Sequence, residues 1–99
     1  MIVVSSVLKA RPGKEKELED ALRSVFPSAQ NEPGLFTYIL HRSTNDPGKF
    51  LFYERYMDKD SLDYHLSTPY FQDSFMKVKS LVAEEPVVEL FEEIDAIRR

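Results

Sequence analysis

Hydrophobic and polar positions alternate with two different periods along the chain, and these periods predict four strands and three helices. Residues 2–10, 35–43, 50–56 and 87–92 are rich in β-branched, aliphatic or aromatic types and are expected to form strands. Apolar residues recur at helical spacing over 14–26, and a ragged helical turn is expected to continue to about Gln30. Two more helices are expected between the third and fourth strands.

Turn and capping residues separate these elements. Asp58 can accept a hydrogen bond from the first turn of the second helix, and Thr68 followed by Pro69 can end that helix and begin the third. The run NDPG at 45–48 predicts a hairpin between the second and third strands. The order β-α-β-β-α-α-β indicates a single α+β domain over residues 1–99. Its expected fold is a ferredoxin-like split βαβ, with an antiparallel sheet and the helices on one face.

Both faces of this predicted sheet carry large apolar side chains. In the third strand, Phe50, Phe52, Glu54 and Tyr56 are expected on one face and Leu51, Tyr53 and Arg55 on the other. In the second strand, Leu35, Thr37, Ile39 and His41 are expected to oppose Phe36, Tyr38, Leu40 and Arg42. Helices can cover only one face, and an uncovered apolar face of this size is unusual for a monomer. We therefore expect a homodimer formed through the sheet face; the alternative is a mixed face on which Tyr and Arg tips reach solvent.

A histidine occupies an apolar position of the second predicted helix. Leu62, His65 and Leu66 stand at i, i+3 and i+4 and therefore share one face. If this helix lies over the sheet face that carries Glu54, then His65 and Glu54 are expected to meet, as a pair that can move a proton near neutral pH. The alternative is a buried histidine that ties helix to sheet, with Glu54 as its structural partner.

Composition narrows the possible chemistry. The net charge is −4, and basic residues alternate with acidic ones along the first helix, which argues against nucleic acid as a partner. The absence of cysteine excludes disulfides and thiolate chemistry. The two histidines, His41 and His65, fall on different elements, so no metal site is expected. The apolar run at the amino terminus is too short for a signal peptide or a membrane span, so the expected location is the cytoplasm, without a membrane partner.

Several short motifs resemble those of the antibiotic biosynthesis monooxygenase (ABM) domain. They are Glu32-Pro33-Gly34-Leu35, Tyr38, Phe50 followed by Tyr53-Glu54-Arg55-Tyr56, then Asp58, His65, Thr68-Pro69 and Phe71. The resemblance covers nearly the whole chain and implies a dimeric α+β barrel with a pocket between sheet and helices in each subunit. The family includes cofactor-free oxygenases of quinols and polyketide phenols, haem-degrading enzymes and an isomerase of a phosphorylated signal compound, and many relatives have no assigned activity.

Three positions disfavour haem degradation. The haem degraders carry an Asn on the first strand, a Trp at the end of the third strand and a haem-ligating His on the third helix. Ser6, Tyr56 and Phe75 occupy these positions here, and the chain has no Trp. An oxygenase of the remaining kind needs no metal or flavin, because an electron-rich substrate itself supplies the electrons, so no cofactor is expected.

The expected function is cofactor-independent oxygenation of a small phenolic or quinol-like compound. His65 is expected to take the hydroxyl proton as general base, with Glu54 as its catalytic partner. The substrate-binding walls are expected to come from Ser6, Tyr38, Phe52, Tyr56, Phe71 and Phe75. Two alternatives stay open. One is isomerisation of a small phosphorylated carbonyl compound, with Arg42, Arg55 or Lys77 supplying positive charge; the other is a ligand-binding dimer without catalysis.

Overall fold

The computed structural model describes residues 1–99 and contains four strands and four helices. The elements are β1 (Ile2–Lys9), α1 (Glu15–Arg23), α2 (Phe26–Ala29), β2 (Leu35–Arg42), β3 (Lys49–Tyr56), α3 (Lys59–Ser67), α4 (Pro69–Leu81) and β4 (Val87–Glu92). The strands lie in the order β2-β3-β1-β4, and every neighbouring pair is antiparallel. This topology confirms the α+β, ferredoxin-like fold expected from the sequence.

The first predicted helix is shorter than its hydrophobic pattern indicates. It ends at Arg23 instead of continuing to residue 26, and the ragged turn that follows is the separate one-turn helix α2. Pro27 lies in the first turn of α2. Because proline has no backbone N–H and its ring clashes with the carbonyl four residues earlier, α1 cannot continue through this position.

The two predicted caps are present and fix where α3 and α4 begin. Asp58 Oδ1 accepts hydrogen bonds from the backbone N–H of Ser61 at 2.9 Å and from its hydroxyl at 2.8 Å. These bonds hold the pKa of Asp58 below its ordinary value. Thr68 Oγ1 accepts from the N–H of Phe71 at 3.3 Å and donates to the carbonyl of His65 at 2.8 Å. The junction between α3 and α4 is therefore tied directly to His65.

A β-bulge at the start of β2 changes the face on which Leu35 lies. The register pairs Leu35 with Tyr56 and Thr37 with Arg55, so Phe36 is the extra residue. Leu35 consequently packs against the cluster around Tyr56 on the helix side of the sheet. The expectation that Leu35 shares a face with Thr37 is wrong for this reason, whereas alternation beyond the bulge is as expected.

The core lies between the helices and one face of the sheet. Its main cluster consists of Leu8, Ala10, Leu18, Ala21, Leu22, Val25, Phe50, Phe52, Val78 and Val82. A smaller cluster of Val4, Tyr56 and Leu62 lies beneath α3. The apolar stripe predicted for α3 holds for Leu62 and His65, but Leu66 is 41% exposed near the end of the helix.

No helix covers the other face of the sheet, which we call the open face. Ile39, Val87 and Phe91 expose large apolar side chains there. Arg55 also lies on the open face, where its Nε donates to Glu93 at 3.0 Å and its Nη1 donates to Thr37 Oγ1 at 3.0 Å. None of the four helices combines the length and the apolar character that a membrane-spanning helix requires.

Candidate active site

A cavity of about 110 Å³ lies on the helix side of the sheet. Nine of its 13 lining residues are hydrophobic. The lining consists of Ser6, Leu8, Leu22, Val25, Tyr38, Phe52, Glu54, Phe71, Ser74, Phe75, Val78, Pro86 and Val88. Phe75 and Val88 are themselves exposed, so they mark the side on which the cavity meets solvent.

The structure brings most of the predicted site residues to this one cavity. Ser6, Tyr38, Phe52, Glu54, Phe71 and Phe75 all line it. Tyr56 and His65 do not line it, and both are fully buried behind the wall. Ser74 was missed from the sequence, although helical spacing could have identified it: Phe71, Ser74, Phe75 and Val78 stand at i, i+3, i+4 and i+7 on α4.

The hydrogen-bond partner of His65 is Glu32, and the expected bond to Glu54 is wrong. His65 Nδ1 lies 2.8 Å from Glu32 Oε2 and 3.2 Å from the hydroxyl of Tyr70. The Tyr70 hydroxyl also donates to the same oxygen of Glu32. Glu32 reaches His65 because the turn before β2 packs directly on α3. Glu54 instead accepts a hydrogen bond from Tyr56 on the same strand.

The second nitrogen of the same ring, Nε2, is buried and has no hydrogen-bond partner. Four aromatic rings surround the imidazole at centroid distances of 5.1 to 5.9 Å: Tyr38, Tyr56, Tyr70 and Phe71. Tyr38 and Phe71 also line the cavity, so a single layer of rings separates His65 from it. A buried polar atom without a protein partner is rare in folded proteins and calls for an explanation.

Glu54 supplies the one carboxylate of the cavity wall. Its Oε1 accepts a hydrogen bond of 2.6 Å from the Tyr56 hydroxyl. Burial raises the pKa of Glu54, and the bond from Tyr56 and the nearby His65 oppose this shift. Burial also raises the pKa of Tyr38 and of Tyr56, so both phenols stay protonated. Glu54 can therefore hold a proton at higher pH than an ordinary glutamate.

No basic side chain lines the cavity. Arg42 pairs with Glu19 and lies over the ring of Phe50, and Arg55 is on the open face. Lys77 lines a separate surface groove between α1 and α4. No group of three or more His, Asp or Glu side chains is arranged to hold a metal ion. The cavity wall therefore offers none of the Arg or Lys contacts that phosphate groups usually receive.

Solved structures of other proteins share this fold. The Rv0793 protein of Mycobacterium tuberculosis is 23% identical with a TM-score of 0.91, and the match covers 98% of each chain. The SO0527 protein of Shewanella oneidensis is 30% identical with a TM-score of 0.86, covering 91% of this chain and 87% of that chain. In sequence, the uncharacterized protein sll1783 of Synechocystis sp. is 29% identical over 90 residues, or 91% of this chain. This chain spans 61% of the length of that relative.

The chain also matches a model of a protein family. The model described as antibiotic biosynthesis monooxygenase matches residues 1–76. The matched segment runs from β1 into α4 and includes every lining residue before Val78, together with Glu32, His65 and Tyr70. A solved structure described as an antibiotic biosynthesis monooxygenase also has this fold, with 23% identity and a TM-score of 0.89. Because the family match covers most of the chain, the chain belongs to the antibiotic biosynthesis monooxygenase family.

Proposed function

We propose that this protein is a cofactor-independent monooxygenase of a small phenolic compound. The observation that carries the proposal is the cavity, which has aromatic walls, one carboxylate and a buried imidazole directly behind the wall. Its volume of about 110 Å³ is of the same order as that of an engineered cavity of about 150 Å³ that binds benzene. We therefore expect the cavity to hold one aromatic ring.

The lining residues fit the binding of such a ring. Tyr38 and Phe52 lie with their centroids 4.9 Å apart on the sheet side, and Phe71 faces them from α4. These side chains would hold a flat ring and exclude water from it. Ser6 on β1 and Ser74 on α4 would provide hydroxyls for a second polar substituent.

His65 and Glu54 are the two titratable groups to which we assign the roles of general base and general acid. His65 Nε2 is a buried nitrogen without a partner, and we assign to it the removal of the phenolic proton. Because a layer of rings separates His65 from the cavity, the rings of Tyr38 and Phe71 would have to move apart for the substrate hydroxyl to reach Nε2. Glu54, whose pKa is raised by burial, is assigned to donate a proton to oxygen later in the reaction.

The proposed reaction balances without a cofactor. After His65 takes the hydroxyl proton, the phenolate passes an electron to O₂, and a carbon–oxygen bond forms at the ring carbon opposite the hydroxyl. Glu54 protonates the outer oxygen to give a hydroperoxide. Glu54 then removes the proton of that ring carbon, the oxygen–oxygen bond breaks, and the departing hydroxide takes the proton from His65. One phenol and one O₂ give one quinone and one water, with four electrons transferred from the ring to oxygen.

The test is oxygen uptake with a panel of simple phenols and quinols, followed by mass spectrometry after reaction under ¹⁸O₂. We expect one labelled oxygen in the quinone and one in water. His65→Ala and Glu54→Gln should each lower the rate by about 100-fold or more, the range attributed to general acid–base groups. His41→Ala is the matched control, because this exposed histidine only donates to the carbonyl of Leu51, at 3.1 Å.

Three results would contradict the proposal. They are the absence of oxygen uptake with every compound in the panel, equal rates for wild type and His65→Ala, and both labelled atoms appearing in water. Binding of phenols without turnover would identify a ligand-binding protein instead. Turnover of a phosphorylated carbonyl compound without oxygen would identify the isomerase alternative, for which no basic side chain lines the cavity.

We also propose that a second copy of the chain covers the open face. Ile39, Val87 and Phe91 are each between 45% and 57% exposed there, on strands that span the width of the sheet. Burying a large apolar side chain contributes about 1.5–3 kcal/mol, so several such groups supply a substantial association energy. Across a two-fold axis, the apolar patch of one subunit contacts the identical patch of the other subunit, so the patch must be self-complementary.

A further inference from the structure

The turn before β2 packs unusually closely on α3. Gly34 lies in this turn, and a β-carbon added there would stand 2.6 Å from the Cβ of Ser61. The Gly34 carbonyl also accepts from the N–H of Met57 at 2.8 Å, which ties the turn to the end of β3. Ser61 and His65 are four residues apart on α3 and therefore lie on the same face of that helix. The approach at Gly34 thus brings the preceding Glu32 against His65.

Glu32 is buried, with 7% of its surface exposed, and it meets two groups. Its Oε2 lies 2.8 Å from His65 Nδ1 and accepts from the hydroxyl of Tyr70. Tyr70 is the second residue of α4, and the start of α4 is fixed by the bonds between Thr68 and the carbonyl of His65. Two separate segments, the turn and the beginning of α4, therefore converge on one imidazole nitrogen.

We propose that Glu32 and Tyr70 are positioning residues that keep the proton of neutral His65 on Nδ1 and leave Nε2 as the proton acceptor. A carboxylate accepts hydrogen bonds only, so Nδ1 is the donor in the contact with Glu32. A neutral imidazole carries one N–H, so its other nitrogen then has a free lone pair. That nitrogen is the buried Nε2 without a partner. This role deepens the proposed function and rests on it.

The opposite tautomer would not serve the reaction. With the proton on Nε2, the ring would present a donor inside its aromatic shell, and a phenolic hydroxyl would find no acceptor there. Its Nδ1 would place a lone pair against the carboxylate of Glu32. Carboxylate–imidazole–hydroxyl sites in other enzymes use the carboxylate for the same purpose, to hold the tautomer and orientation of the ring.

The test is ¹⁵N NMR of the histidine side chains of the full chain at a pH at which both imidazoles are neutral. We expect a pyrrole-type Nδ1 signal and a pyridine-type Nε2 signal for His65, with His41 as the exposed reference. Glu32→Gln should mix the two tautomers of His65, because the amide can accept from Nδ1 or donate to it. Glu17→Gln, which removes an exposed carboxylate from α1, should leave the spectrum unchanged.

Kinetics provide the second measurement. Glu32→Gln should lower kcat for phenol oxidation by about 10–100-fold, the range known for the outer partners of metal-ligating histidines, with KM changed less than about threefold. Tyr70→Phe, which keeps the ring, should lower kcat less than Glu32→Gln. Urea unfolding of each variant shows whether it is folded, so that a loss of rate can be assigned to positioning.

Two results would overturn the proposal: a His65 spectrum with the proton on Nε2 in the wild type, or a Glu32→Gln variant with the tautomer and kcat of the wild type. The NMR result also separates this proposal from the proposed function. An Nδ1–H tautomer that depends on Glu32, in a protein that oxidises no phenol, would support the positioning of His65 and refute the oxygenase assignment.

Discussion

The hydroxyl of Tyr56 donates a 2.6 Å hydrogen bond to the carboxylate of Glu54, two residues earlier on the same face of β3. Both side chains are buried, and burial is the largest influence on the pKa of each, raising it in both cases. Glu54 therefore keeps its proton to a higher pH than an ordinary glutamate does. The Tyr56 hydroxyl beside it stays protonated and remains a hydrogen-bond donor. The pair can be tested through stability as well as through catalysis.

We predict that Glu54 makes the free energy of unfolding fall as pH rises above 4.5, the ordinary pKa of a glutamate. Between that value and the raised value in the folded protein, the native state binds more protons than the unfolded state, so its free energy of unfolding falls with rising pH. Glu54→Gln cannot titrate and should remove this part of the slope. Urea unfolding from about pH 4 to about pH 8 measures it.

The exposed Glu17 provides the matched control for this measurement. Glu17→Gln changes a carboxylate on α1 that makes only a surface ion pair with Lys14, so it should keep the wild-type slope. If Glu54→Gln and wild type lose stability in parallel across the whole range, then Glu54 does not carry the retained proton.

A second prediction concerns the glycine in the turn before β2. Gly34→Ala should lower the free energy of unfolding by about 1–3 kcal/mol, the usual cost of forcing a group into a packed site, because the new methyl would collide with the Cβ of Ser61. The turn must then move away from α3, so the contact between Glu32 and His65 should also weaken. Urea unfolding measures the first effect, and the Nδ1 signal of His65 measures the second.

Gly48→Ala is the control for this substitution. The nearest atom to a β-carbon at Gly48 is Cγ of Glu15, at 3.1 Å, on a side chain that can move aside. Gly48 is buried, but we expect a smaller cost than for Gly34→Ala, because the nearest neighbour can move aside. Equal stabilities for the two variants would show that the approach of Gly34 to Ser61 is not a constraint.

Most of the fold was predictable because its signals are local. The caps at Asp58 and Thr68, and the break at Pro27, depend on residues within one or two turns, and periodicity separates strands from helices. The bulge at Phe36 was not predictable in this way. Its immediate neighbours, Leu35 and Thr37, are neither glycine nor proline, and the bulge becomes visible only from the pairing of β2 with β3.

The cavity was partly predictable and the partner of His65 was not. Residues on the inner face of strands follow a period of two, so the positions of Tyr38, Phe52 and Glu54 followed from alternation. The contact between Glu32 and His65 joins residues 33 apart in sequence and depends on how closely a turn packs on a helix. The Pro33-Gly34 pair favours a turn, but such a local signal does not indicate how far the turn lies from α3.

A third prediction is that filling the cavity weakens phenol binding without unfolding the protein. Ser74→Leu adds an apolar side chain that projects from α4 into a space bordered mainly by hydrophobic residues. We expect the affinity for phenol to fall at least about tenfold, because the space for the ring is occupied, while stability changes by less than about 1.5 kcal/mol. NMR titration of phenol under anaerobic conditions measures the affinity.

Ser74→Ala distinguishes the loss of space from the loss of the hydroxyl. It should keep most of the affinity for phenol itself, which carries no second polar substituent. If Ser74→Leu binds phenol as well as the wild type does, the ring is held elsewhere and the assignment of this cavity as the substrate site fails.

The last prediction concerns the open face of the sheet. At low micromolar concentration the wild type should sediment as two copies, and Ile39→Glu or Phe91→Glu should sediment as one. Each substitution places a carboxylate in an apolar patch that two-fold symmetry brings against its twin, and an unpaired charge there is costly to bury. Met76→Glu, on the exposed surface of α4, is the matched control and should leave the dimer intact, because α4 packs on the opposite side of the sheet. A wild-type protein that sediments as a single subunit would show that the open face stays in contact with water, and the apolar side chains on β2 and β4 would then need another partner.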